Sequence, residues 1–157
     1  MNNIVDRLEK IKSNLSKIEN TDKVKIIAVS KTFDLNHIRP LIDSGHEHFG
    51  ENKVQEADAK WSEIKKKKDN LKLHMVGKLQ SNKAKKAVEL FDYIHSLDSQ
   101  KLADVLAKSQ IAINKSLKYF IQVNIGNEEQ KSGIKYNEVD AFYNYCSKEK
   151  NMDIIGL

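Results

Sequence analysis

The sequence predicts an α/β chain of parallel strands and helices. It is of the (β/α)8 TIM-barrel type but incomplete, with about six of eight βα units plus an N-terminal helix. Three observations predict it. Short apolar runs alternate with amphipathic stripes of helical period along the whole chain. The connections are short, which implies parallel strands joined by right-handed crossovers. Neither GxGxxG nor GxxxxGK[ST], the phosphate fingerprints of open nucleotide-binding sheets, occurs. That last point works only by elimination, so an open doubly wound sheet stands as the competing architecture.

The elements follow in order. Ile4, Leu8, Ile11, Leu15 and Ile18 recur at spacings of four and three, an apolar helical stripe. Residues 25–30, KIIAVS, read as the first strand. Residues 34–44 read as a helix closed by Gly45, with Pro40 best tolerated if the helix begins near Asn36. A short strand at 46–49, a helix at 52–67 and a third strand at 71–76 come next, then a helix at 81–90 and a strand at 92–95. Asp98 or Ser99 caps the following helix, whose Leu102, Val105 and Leu106 face inward. Residues 118–125 form a fifth strand, with Phe120, Gln122 and Asn124 on one face and Ile121, Val123 and Ile125 on the face toward helices. Asn137 is expected to cap a helix reaching Cys146, and 152–157 make a sixth strand. No linker, repeat or low-complexity stretch divides the chain, so 1–157 is expected to be a single domain.

Composition narrows the function classes. The net charge of +5 comes from 27 basic residues of which only Arg7 and Arg39 are arginine. Arginine's planar fork is what reads guanine edges and clamps phosphate, so scattered lysines argue against nucleic acid. The run from Lys65 to Lys68 reads as the solvated end of a helix, where cations suit the dipole. No apolar run approaches the roughly 20 residues of a membrane span. The first residues form a charged amphipathic helix rather than an export signal. One cysteine, Cys146, leaves no intramolecular disulfide and reads as packing, and the cytoplasm is the expected compartment.

Barrel chemistry gathers at the C-terminal ends of strands. Here those ends read Ser30-Lys31, Gly50-Glu51-Asn52, His74 through Gly77, His95-Ser96 and Asn124, so each of the five carries a chemically capable polar group. A lysine at a barrel mouth can be desolvated, and the neutral amine then attacks an aldehyde to form a Schiff base. That chemistry covers pyridoxal phosphate proteins and barrel aldolases alike. A rival constellation is metal: His46 and His48 alternate on one side of a strand, with His74 and His95 on later strands, and three converging histidines suit zinc. The spacing argues against it, since His46 and His48 stand at the start and middle of their strand rather than past its end. No metal is therefore expected.

Four segments carry a resemblance. AVSKT at 28–32, FGENKVQEA at 49–57, HMVGKLQSNK at 74–83 and VNIGNEEQKSGI at 123–134 are similar to the motifs of the pyridoxal phosphate homeostasis proteins, in order and spacing. The resemblance implies a barrel like the N-terminal domain of alanine racemase, called fold type III. It implies pyridoxal 5′-phosphate held at the barrel mouth as a Schiff base on Lys31, and cofactor homeostasis rather than turnover. Asn52, His74 and Asn124 match motif positions at strand ends as further contacts, and Lys131 matches a lysine near the mouth. It also implies a monomer whose partners are the cofactor and client enzymes that use it. The second domain that makes racemases is lacking, so a racemase is not expected. A Schiff-base enzyme of another class, or a nonfunctional or complementing fragment, are the alternatives.

Two departures stand out. Phe33 replaces a lysine common two positions after the Schiff-base lysine. The family's SMGMS-like segment and late RIG segment, which carry the phosphate cup and the arginine at the pyridine nitrogen, have no counterpart in these 157 residues. A complete barrel typically needs about 250 residues. The chain is therefore expected to be truncated at the C-terminus, to leave its first and last strands as open edges, and to hold the cofactor weakly.

Overall fold

The computed structural model describes residues 3–21, 23–126 and 132–157. Helix α1 (Asn3–Leu15) precedes β1 (Ala28–Val29), α2 (Leu35–Asp43), β2 (His48–Glu51), α3 (Val54–Lys65) and β3 (Lys72–Met75). A 3-10 turn (Ser81–Lys83) opens α4 (Ala84–Leu90), followed by β4 (Tyr93–Leu97), α5 (Gln100–Ala112) and β5 (Lys118–Ile121). Short strands β6 (Val123–Asn124) and β7 (Ile134–Lys135) come next. A 3-10 turn (Tyr136–Glu138), α6 (Val139–Asn144), a π turn (Tyr145–Glu149) and β8 (Asp153–Gly156) end the chain.

Six strands make one parallel sheet in the order β1-β2-β3-β4-β5-β8. The order never reverses. A doubly wound sheet turns back at a switch point, whereas a barrel wall adds each strand beside the last. The open-sheet alternative is thereby overturned, and the wall is of barrel type. At its two sides β1 and β8 each pair with one neighbour, among the described residues.

Local signals explain most boundaries. Asp34 caps α2 by accepting the His37 N–H at 2.9 Å, and Ser99 caps α5 by accepting the Leu102 N–H at 3.2 Å. Gly45 closes α2 at φ 87°, with its N–H on the Ile42 carbonyl and the His46 N–H on the Leu41 carbonyl, the paired bonds of a Schellman end. Since α2 starts at Leu35, Pro40 stands inside the helix. Asn137 does not cap: it lies in the 3-10 turn, and the following helix starts at Val139 without a side-chain cap.

The core lies between sheet and helices. Phe49, Leu73, Met75, Ile94, Tyr119 and Ile121 are buried on that side. Phe49 packs on Trp61 of α3 with ring centroids 4.8 Å apart, and the Tyr119 hydroxyl donates to Gln110 of α5 at 2.8 Å. Cys146 is buried, and burial pushes its thiol up to about 12, so it packs and stays unreactive. Lys115, not singled out by sequence, closes α4: its Nζ donates to the Val88, Glu89 and Phe91 carbonyls at 2.8, 3.1 and 2.8 Å.

Three expectations are corrected. The α1 stripe is used only in part: Leu8 is buried, Ile11 is exposed, and Ile18 lies past the helix end. Lys65 is not solvated. It bridges the Leu90 carbonyl and Asp92 at 2.9 and 2.6 Å, while Lys66, Lys67 and Lys68 are exposed. The fifth strand does not run unbroken to 125. Its register shifts beside Leu97, and β6 leaves the sheet to pair with β7, which exposes Ile125. Gly133 makes that pairing fit: at φ 128°, an added Cβ would stand 2.7 Å from the Asn124 nitrogen.

Candidate functional site

The inner face of the wall is built from alternate residues. Around Gly50, the position of an added Cβ lies 3.2 to 3.4 Å from Ile27, Val29 and Val76 methyls. Further along the same wall stand His48, His74, His95 and Phe120. Lys31 lies two residues past β1, in an exposed turn. The expected desolvation of this amine is not seen. Asn52 follows β2 and is half-buried. Val29 pairs with Gly50 and Gly50 with His74, and Lys31 and Asn52 lie in a turn and a bend just beyond the C-terminal ends of β1 and β2. Lys31 and Asn52 thus both stand past the C-terminal ends of their strands.

Asn52 also helps line a 270 Å³ cavity with Lys53, Gln55, Lys78, Gln80 and Lys83. Two loops meet there closely. An added Cβ on Gly77 would stand 2.3 Å from the Asn52 carbonyl oxygen, so only glycine lets the loop after β3 approach the loop after β2. Asn124 ends β6, half-buried and in register with Lys135. Lys131 lies outside the described residues.

Glu51 does not face the mouth. Its side chain points to α3, fully buried, and one oxygen, Oε1, accepts from Ser30 Oγ at 2.8 Å, Lys60 Nζ at 2.9 Å and Trp61 Nε1 at 2.9 Å. Sequence reading missed Lys60 and Trp61. The available signal was an acid ending an apolar strand and a tryptophan on the next helix's apolar stripe with Val54 and Ala57. Ser96 likewise turns from the mouth, its hydroxyl buried without a hydrogen-bond partner among the described residues.

The histidines converge as a line. His48 Nδ1 lies 2.9 Å from His74 Nε2, and His74 Nδ1 lies 2.8 Å from His95 Nε2. His74 stacks on Tyr93 at 4.2 Å and His95 on Phe120 at 4.4 Å. Because His74 meets its neighbours through opposite ring nitrogens, the three rings cannot turn three nitrogens onto one point as zinc requires. Among the described residues no group of three His, Cys, Asp or Glu is placed to hold a metal ion. His46 precedes the strand rather than sharing it with His48, and its Nε2 sits 2.9 Å from the His48 carbonyl.

Each link in the line needs one N–H and one lone pair, so extra protons are poorly accommodated. Burial, then the neighbouring rings, push His74 from 6.5 down to about 3, and burial lowers His48 and His95 as well. Unfolded histidines take up a proton near the ordinary value, while the folded ones resist it. Stability is therefore fully present above about pH 6.5 and is lost as pH falls toward 3, at up to about 1.4 kcal/mol per pH unit for each such ring. Urea unfolding at pH 7 and pH 5 should show the lower midpoint at pH 5. His74→Phe should flatten that dependence, whatever its effect at pH 7. An equal pH dependence in the variant would remove the line as its source.

The profile of the alanine racemase N-terminal domain matches residues 7–157. The pyridoxal phosphate homeostasis protein of Pasteurella multocida is 42% identical over 116 residues, covering 74% of this chain and 50% of that one. The protein of the same name from Escherichia coli K12 is 34% identical, covering 100% of this chain and 70% of that one. PipY of Synechococcus elongatus, solved with pyridoxal phosphate bound, is 39% identical with a TM-score of 0.80, covering 95% of this chain and 68% of that one. The chain thus spans about half to seven-tenths of the length of these proteins. Among the described residues no helix is long and apolar enough to cross a membrane.

Proposed function

Because the chain belongs to the alanine racemase N-terminal domain family, and to the pyridoxal phosphate homeostasis proteins within it, we propose that it binds pyridoxal 5′-phosphate as a Schiff base on Lys31 and serves vitamin B6 homeostasis. The observation that carries this reading is the position of Lys31, the first residue beyond the Ser30 anchor at the C-terminal end of β1. Barrel chemistry belongs at that edge.

The residues present fit the aldehyde end of the cofactor. Lys31 is an exposed primary amine, reachable by an aldehyde, on a wall whose inner face is apolar beside it. Asn52 offers an amide to hydrogen-bond the ring substituents, and Asn124, at the end of β6, is the second amide that the resemblance assigns to the cofactor. His74 has both ring nitrogens engaged, so it supports the inner face by packing. Lys131, outside the described residues, is the further amine that the resemblance assigns to the mouth. When bound, the cofactor supplies an aldehyde that captures amines and a ring that withdraws electrons. The relatives' names speak of pyridoxal phosphate homeostasis and name no reaction, so turnover is not part of the reading. A monomer in the cytoplasm, delivering to enzymes that use the cofactor, completes it. The lone cysteine fits a reducing compartment.

The test is to mix the purified chain with pyridoxal phosphate, reduce with borohydride and map the labelled lysines by peptide mass. Label concentrated on Lys31, and lost in Lys31→Ala, is the expected result. Label spread over the chain's many lysines in proportion to exposure would overturn the reading.

A further inference from the structure

We propose that Glu51 and Lys60 are positioning residues for Lys31: their buried ion pair fixes the peptide of Ser30 and so aims the amine carried by the next residue. The inference rests on the reading of Lys31 as the cofactor amine.

The hold on Ser30 is complete. Its N–H donates to the Gly50 carbonyl at 2.9 Å, and its hydroxyl donates to Glu51 Oε1 at 2.8 Å. Its carbonyl accepts from Lys60 Nζ at 2.7 Å and from the Phe33 N–H at 3.0 Å. Strand β2, helix α3 and the turn after Lys31 thus all converge on the one residue before the amine. Lys60 is linked in turn to Glu51 at 2.9 Å, with the two side chains 12% and 0% exposed.

Strand β1 needs such a hold. It has two ladder residues and pairs with β2 alone, among the described residues. A ladder of two residues frays readily. Lysine then adds a long flexible stem, so the direction of its Cα–Cβ bond decides where the amine can dwell. A reactive group held loosely by about 1 Å can lose up to about 100-fold in reactivity.

Packing alone does not explain the pair. Apolar residues of the same volume usually join a strand to a helix at least as well as a buried ion pair does. Here the pair also leaves Glu51 Oε2 buried with no hydrogen-bond partner among the described residues, a cost that apolar packing would avoid. What the ion pair adds is direction: Oε1 gathers Ser30, Lys60 and Trp61, and the ammonium spans from that oxygen to the Ser30 carbonyl.

The test compares lysine substitutions on α3 by the same borohydride mapping, alongside urea unfolding. Lys60→Met should lower the share of label on Lys31 about tenfold or more. Lys60→Arg, which keeps the charge and the donors, should restore most of it. Lys65→Met breaks the half-buried pair with Asp92 on the same helix and serves as the control for lost stability. It should label Lys31 like the wild type. Scattered label in the wild type would overturn the reading of Lys31 and this inference with it. Wild-type label on Lys31 that survives Lys60→Met, or that falls equally in Lys65→Met, would overturn the inference alone.

Discussion

Trp61→Ala is expected to cost about 5 kcal/mol of folding stability. The indole is fully buried against Phe49, and truncating a buried tryptophan to alanine costs about 3–5 kcal/mol through lost transfer energy and the cavity left behind. It also donates Nε1–H to Glu51 Oε1 at 2.9 Å, and removing that donor from a buried carboxylate adds about 1–3 kcal/mol. A domain is stable by about 5–15 kcal/mol, so the variant should be partly or wholly unfolded without denaturant. Trp61→Phe separates the two contributions. It keeps most of the ring contact and loses the donor, so its cost should be near 1–3 kcal/mol. Urea unfolding followed by circular dichroism measures both, since Trp61 is the chain's single tryptophan and its fluorescence disappears with it. A cost below about 2 kcal/mol for Trp61→Ala would mean that this is not a core anchor.

Gly77→Ala is expected to cost about 3 kcal/mol and to displace the turn that carries Asn52. The new methyl would fall 2.3 Å from the Asn52 carbonyl oxygen and 2.8 Å from its Cα, and backbone cannot move aside as a flexible side chain can. One of the two loops must shift. Gly45→Ala is the comparison. Its φ of 87° disfavours a side chain, yet nothing lies within 4 Å of an added Cβ, so the cost should be near 1 kcal/mol. Hydrogen exchange of the amides around Asn52 should quicken in Gly77→Ala and stay unchanged in Gly45→Ala. The same exchange rates in both variants would show that the loops yield without disturbing the site.

The candidate site was legible in part. Lys31 and Asn52 could be placed at strand ends, where barrels keep their chemistry, but their roles as cofactor contacts were assigned by the motifs AVSKT and FGENKVQEA rather than by the strand pattern. Glu51 looked equally eligible, and it turns the other way because its position alternates with Gly50 and His48. Its partners Ser30, Lys60 and Trp61 come from a neighbouring strand and the next helix. His74 could be placed on a strand, but its two histidine neighbours stand 26 and 21 residues away and could not be paired from sequence alone.

What the sequence by itself determined is what local chemistry controls. The order of strands and helices follows from apolar period, and the ends of α2 and α5 follow from Asp34, Gly45 and Ser99, each of which bonds within a few residues of itself. The barrel-type sense of the wall, the Glu51–Lys60–Ser30 anchor, the histidine line and the departure of β6 from the sheet were decided only by tertiary structure. Each depends on which strands lie side by side and in what register. A shift of one residue would turn His74 from the inner face to the core. That register is set by the summed burial of side chains such as Phe49, Trp61, Leu73 and Ile94, which no single stretch of the chain encodes.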